Sequence, residues 1–92
     1  EKFILLNNYP NPFNPVTTLR YDLPKESLVN IKIYDITGRI VKNLVRENKK
    51  AGYHYARWNG NNNLGESVSA GMYIYTIQAG QFHSSKKMIL LK

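Results

Sequence analysis

The feature that most constrains how this chain can fold is its period-two alternation. Leu19, Tyr21 and Leu23 alternate with Thr18, Arg20 and Asp22. Val29, Ile31 and Ile33 alternate with Asn30, Lys32 and Tyr34, and Tyr73, Tyr75 and Ile77 with Ile74 and Thr76. Successive side chains of an extended chain point to opposite faces, so each run can bury one face and wet the other. The residues are valine, isoleucine, threonine and tyrosine, which fit a pleated, half-buried surface.

Turn signals separate these runs at short intervals. Pro24-Lys25-Glu26-Ser27 breaks the chain after one strand. Asp35-Ile36-Thr37-Gly38 reads as a hairpin turn with Gly38 free to take positive φ. Ala51-Gly52 ends a lysine-rich loop, Asn59 to Gly65 forms a longer polar loop, and Ala79-Gly80-Gln81 is a tight turn. The spacing predicts strands at 3–6, 16–23, 28–35, 39–45, 53–59, 71–79 and 82–91. Short strands at such intervals indicate an all-β, seven-stranded antiparallel sandwich. The stretch 40–49 is ambiguous, because Val41, Leu44 and Val45 would also share one face of a helix; it is read as a strand running into a loop. The expected core is Leu19, Tyr21, Val29, Ile31, Ile33, Val41, Trp58, Tyr73, Tyr75, Ile77, Met88 and Leu90.

A length of 92 residues suits a single domain spanning 1–92 with an adequate but modest core. Cysteine is absent, so neither a disulfide framework nor a thiolate metal site is available. No apolar run reaches the ~20 residues of a membrane span. Glu1-Lys2-Phe3-Ile4 does not read as a secretory signal, which suggests a piece of something larger. Thirteen Lys and Arg against six Asp and Glu leave a formal charge of +7. The cations are scattered, densest at Lys42, Arg46, Lys49, Lys50 and Arg57, and no nucleic-acid-binding module accompanies them, so no nucleic-acid partner is expected.

One stretch, NNYPNPFNP at residues 7–15, breaks the alternation. Proline fixes φ and has no N–H to give a ladder, and each residue before a proline is pushed toward extended geometry. The segment therefore reads as a stiff connector, residues 1–15 being linker and lead-in, with Tyr9 and Phe13 as aromatic plugs for the end of the sandwich.

Three stretches together carry a resemblance: Asn8 to Pro15; Trp58-Asn59-Gly60 through Gly71-Met72-Tyr73-Ile74-Tyr75; and Lys86-Lys87-Met88-Ile89-Leu90-Leu91-Lys92. In combination they resemble the C-terminal sorting domain of the type IX secretion system, a family related in fold to the immunoglobulin-like domain of the flagellar hook-capping protein. The resemblance implies an immunoglobulin-like sandwich at the end of a bacterial enzyme or adhesin. It also implies that the chain is the C-terminal module of a larger secreted protein with its cargo domain upstream, recognised by outer-membrane secretion machinery after crossing the periplasm, removed by a sortase-like protease, with release or surface attachment of the cargo. Carried over, the sorting residues are Pro10, Asn11 and Pro12, Gly71 and Tyr73, and Lys86, Lys87 and Lys92. Asn59 stands where many relatives have aspartate.

Several residues have simpler structural readings. Trp58 shares a strand face with Ala56 and His54 and reads as core. Tyr34, Tyr53 and Tyr55 are the tyrosines expected on the surface, which leaves open an accessory carbohydrate-binding face with polysaccharide as partner. The Asn59–Glu66 loop alternates oxygen ligands but supplies one carboxylate where calcium sites use several, so it reads as an asparagine-held turn with no metal. His54 and His83 lack partners at triad spacing, so no catalytic residue and no cofactor are expected. Lys86, Lys87 and Lys92 would either guard an exposed last strand against edge pairing or offer cations to an acidic receptor. The reading is thus a non-catalytic sorting module; the alternative is a carbohydrate-binding or spacer module.

Overall fold

The computed structural model describes residues 2–91. Its strands are β1 (Ile4–Leu5), β2 (Thr17–Leu23), β3 (Ser27–Tyr34), β4 (Ile40–Lys49), β5 (Gly52–Trp58), β6 (Gly71–Ala79) and β7 (Phe82–Leu90). They form two antiparallel sheets, β1-β2-β5 and β4-β3-β6-β7, packed face to face as an immunoglobulin-like sandwich. The two hairpins of the larger sheet come from the expected turns. At β3–β4 the Asp35 carboxylate accepts hydrogen bonds from the Thr37 N–H (2.9 Å), the Thr37 hydroxyl (2.6 Å) and the Arg39 N–H (3.1 Å). These bonds, that of Thr37 foremost, hold the Asp35 pKa below its ordinary value.

Alternation delivers the core. Leu19, Tyr21 and Leu23 with Ala56 and Trp58 face Val29, Ile31, Ile33, Tyr73, Tyr75, Ile77, Met88 and Leu90 across the sandwich. Leu5, Phe13 and Ala79 complete the buried set. Trp58 is fully buried, edge-on to Tyr73 at 5.3 Å and tilted against Phe13 at 5.7 Å. Burial of rings of this size dominates the stabilisation of so small a domain.

Val41 departs from the expected core and is only half-buried. The cause lies in β4, which runs on to Lys49 as a strand but carries two bulges. Leu44 is extra between the pairs Ile31↔Val45 and Lys32↔Asn43, and Val41 between Ile33↔Lys42 and Tyr34↔Ile40. Each bulge shifts the parity of the strand by one residue. The resulting half-buried set, Val41, Leu44 and Val45, has the spacing of a helical stripe although the backbone is extended.

Residues 2–16 belong to the packed body. β1 pairs with β2, Leu5 and Phe13 are core, and Phe3 stacks on Phe82 at 5.3 Å. Tyr9, expected as a second plug, is instead 81% exposed. Its main chain pairs with Thr18 in both directions at 2.9 Å, and that pairing turns the ring outward.

Candidate functional site

The three motif stretches meet at one end of the sandwich. Prolines cannot donate, so the segment Asn8–Pro15 joins its neighbours through what remains: asparagine side chains and the free N–H groups between the prolines. Tyr9 bonds to Thr18 of β2. Four residues on, the Phe13 N–H donates to the Ile89 carbonyl (2.9 Å), the Leu91 N–H donates to the Phe13 carbonyl (2.8 Å), and Asn11 Oδ1 accepts from the Ile89 N–H (3.0 Å). The segment is therefore a strap. It leaves the edge of one sheet and pairs in parallel with the last residues of the other.

The strap is also fastened from below. The Asn8 N–H donates to the Tyr75 hydroxyl (2.9 Å), which donates to the Leu6 carbonyl (3.0 Å). Asn8 Nδ2 donates to Thr17 Oγ1 (2.9 Å) and to the Pro10 carbonyl (3.2 Å), and Thr17 Oγ1 donates to the same carbonyl (2.8 Å). Burial raises the pKa of Tyr75, against a smaller opposing effect of the Asn8 hydrogen bond, and the hydroxyl stays protonated to serve as this donor.

The Trp58-Asn59-Gly60 turn closes the end. Trp58 Nε1 donates to the Asn61 carbonyl at 2.8 Å. Gly60 has φ +71°, and a Cβ there would lie 3.2 Å from the Pro15 carbonyl oxygen and 3.5 Å from the Leu90 side chain. The loop behind it is the expected asparagine turn: Asn62 Oδ1 accepts from the Leu64 (3.0 Å) and Glu66 (2.9 Å) N–H groups. Among the described residues no group of three or more His, Asp or Glu side chains is placed to hold a metal.

The expected sorting residues divide by orientation. Tyr73 is core, its hydroxyl donating to the Ser69 carbonyl at 2.6 Å; burial raises its pKa, with the Asp35 charge adding to the effect. Gly71 opens β6 at φ +146° and pairs with Leu90. Pro10, Asn11 and Pro12 are exposed along the strap. Lys87 lies outward on β7. Lys86, expected on an exposed strand, instead shares the inner face with Met88 and its cross-strand partner Tyr75, and is half-buried. Its stem lies along the core margin, an inward-pointing charge of the kind that blunts a sheet edge. Lys92 lies outside the described residues.

The three tyrosines expected on the surface do not form one face. Tyr53 and Tyr55 stand outward on β5, whereas Tyr34 is half-buried on the outer face of the opposite sheet, between Ile40 and Ile74. They are separated because β3 and β5 lie in different sheets. Sequence reasoning missed Asn8 and Thr17, whose buried polar network fastens the strap; their polar character concealed a structural role that only the distant Tyr75 reveals.

Comparison with known proteins agrees with this geometry. The profile of the family described as "Secretion system C-terminal sorting domain" matches residues 7–91. No curated protein sequence matches the chain. Among solved structures, PorZ, described as an essential bacterial surface component of the type-IX secretion system of Porphyromonas gingivalis, superposes with a TM-score of 0.63 at 19% identity. The alignment covers 98% of this chain and 11% of PorZ. The alkylpurine DNA glycosylase AlkC of Pseudomonas fluorescens superposes with a TM-score of 0.58 at 14% identity, over 99% of this chain and 31% of AlkC. At these identities the likenesses speak for the fold alone, and the chain spans a minor part of each relative.

Proposed function

Since the chain belongs to the secretion system C-terminal sorting domain family, we propose that it is a non-catalytic address that directs a parent protein out of the cell by the type IX route. The family match across residues 7–91 carries this reading. The partners are outer-membrane secretion machinery, a sortase-like protease that removes the domain, and an upstream cargo domain; the destination is the medium or the cell surface, reached through the periplasm.

The architecture supports a division of labour within the motifs. In Gly71–Tyr75 and Lys86–Leu91 the inward residues Tyr73, Tyr75, Met88 and Leu90 build the core. The outward residues Met72, Ile74, Lys87, Ile89 and Leu91 leave an apolar strip with a cation on it, flanked at its edge by exposed Asn11. The first set makes the fold. The second, with Pro10, Pro12 and Lys92, is what a receptor could read, and a cationic apolar strip suits a receptor surface that is itself apolar and acidic.

The test is export of a reporter carrying a signal peptide and this chain at its C-terminus in a host with a type IX system. Deleting Lys86 to Lys92 is a poor control because it removes Met88 and Leu90 from the core. The better variant is Lys87→Glu with Ile89→Ser, both outward. Reporter in the medium for the native chain and in the periplasm for the folded variant supports the reading; retention of both sinks it.

A further inference from the structure

The outer face of the β1-β2-β5 sheet carries an arrangement that lies apart from the proposed sorting strip. Tyr53 and Tyr55 are 71% and 68% exposed, and they lie two residues apart on β5. Such neighbours on one strand face are ~7 Å apart, so the two rings lie side by side. Arg20, opposite Tyr55, lays its guanidinium over the Tyr53 ring at 4.7 Å. Asp22, opposite Tyr53, holds that guanidinium through two hydrogen bonds, Nε to Oδ1 at 3.2 Å and Nη2 to Oδ2 at 3.3 Å. The Tyr53 ring is thus propped from one side and fixed in place. Beside it an open groove of about 460 Å³ runs over Lys2, Ile4, Asp22, Pro24, Gly52 and Tyr53. That volume falls in the range of small-ligand sites, and the lining mixes apolar walls with a few polar groups. Among the described residues this face bears Lys2, Arg20 and Arg57 against the single carboxylate of Asp22. Arg20 and Asp22 neutralise each other, which leaves a cation at each end of the tyrosine pair.

We propose that this face binds an acidic oligosaccharide, with sugar rings stacked on Tyr53 and Tyr55 and carboxylates meeting Lys2 and Arg57. Pyranose rings present flat C–H faces to aromatic rings, and their hydroxyls find both a donor and an acceptor in the Arg20–Asp22 pair. Binding is non-covalent, and it goes beyond the sorting role: a module of this kind would tether its parent to a polysaccharide whether or not it also directs export.

The experiment is titration of the 92-residue chain with hexagalacturonate, followed by amide chemical shifts, with cellohexaose as the neutral comparison. The expected result is saturable shifts confined to residues 2–4, 20–22 and 52–57, and weaker binding at high salt. Tyr53→Ala with Tyr55→Ala should weaken binding about tenfold, while Tyr53→Phe with Tyr55→Phe, which keeps both ring faces, should retain it. All four substitutions are on exposed side chains, and unchanged spectra elsewhere verify the fold. Absence of shifts at millimolar hexagalacturonate overturns the proposal. So does equal binding of cellohexaose, or a loss with the phenylalanine pair as large as with the alanine pair.

Discussion

Tyr75→Phe isolates the fastening of the strap. The Tyr75 ring is fully buried, and its hydroxyl alone joins the Leu6 carbonyl to the Asn8 N–H, residues nearly seventy positions away in sequence. Removing the oxygen leaves the ring packing in place and strands one buried donor and one acceptor. Each lost hydrogen bond costs about 1 kcal/mol net, and a donor left buried without a partner adds to this, so the expected loss is about 2–3 kcal/mol. A chain of 92 residues unfolds with an entropy near ~0.2 kcal/mol/K, so the melting temperature should fall by roughly 10–15 °C. The assay is urea unfolding followed by Trp58 fluorescence, with calorimetry alongside; the midpoint should fall and the slope stay constant, since the surface exposed on unfolding is unchanged. Tyr21→Phe is the matched control. Tyr21 is equally buried, but its hydroxyl has no hydrogen-bond partner among the described residues, so this change should stay within about 0.5 kcal/mol of the native chain. Equal effects at the two positions would refute the reasoning, because burial of a tyrosine and not this hydroxyl's two bonds would then set the cost.

Phe13→Ala removes the ring that plugs the end of the sandwich against Trp58 and should cost about 3–5 kcal/mol in the same urea assay. Gly60→Ala combines positive φ with a Cβ 3.2 Å from the Pro15 carbonyl and should cost about 2 kcal/mol or more, whereas Gly65→Ala, at φ +84° with open space around it, should cost only about 1 kcal/mol from backbone strain; thermal melts of the two variants separate the terms. The Asp35 carboxyl has a folded pKa below its unfolded value, so its contribution is present above the unfolded value near 3.8 and disappears as pH falls through the folded one. The stability of the native chain should therefore decline through that acidic window more than that of Asp35→Asn, as read by melts from pH 5 downward.

The strands, their approximate limits and most of the core are legible in the amino-acid order, because alternation and turn chemistry are local. Leu19–Leu23, Val29–Ile33 and Tyr73–Ile77 each carry their inward and outward faces in their own order, and Asp35–Gly38 carries its own turn. The motif resemblance supplied the family on the same residues that pack at one end of the sandwich. Features that depend on register or on contacts distant in sequence emerge only in the folded protein. The bulges at Val41 and Leu44 arise from pairing with β3 and cannot be told from a helical stripe in the sequence. Lys86 points inward because β7 keeps the parity set by Met88 and Leu90, and Tyr34 is parted from Tyr53 and Tyr55 because its strand lies in the other sheet. The strap owes its place to Ile89, Leu91 and Tyr75. Prolines announce that a segment will not join a ladder, but they do not say which free strand end its remaining N–H and carbonyl groups will meet.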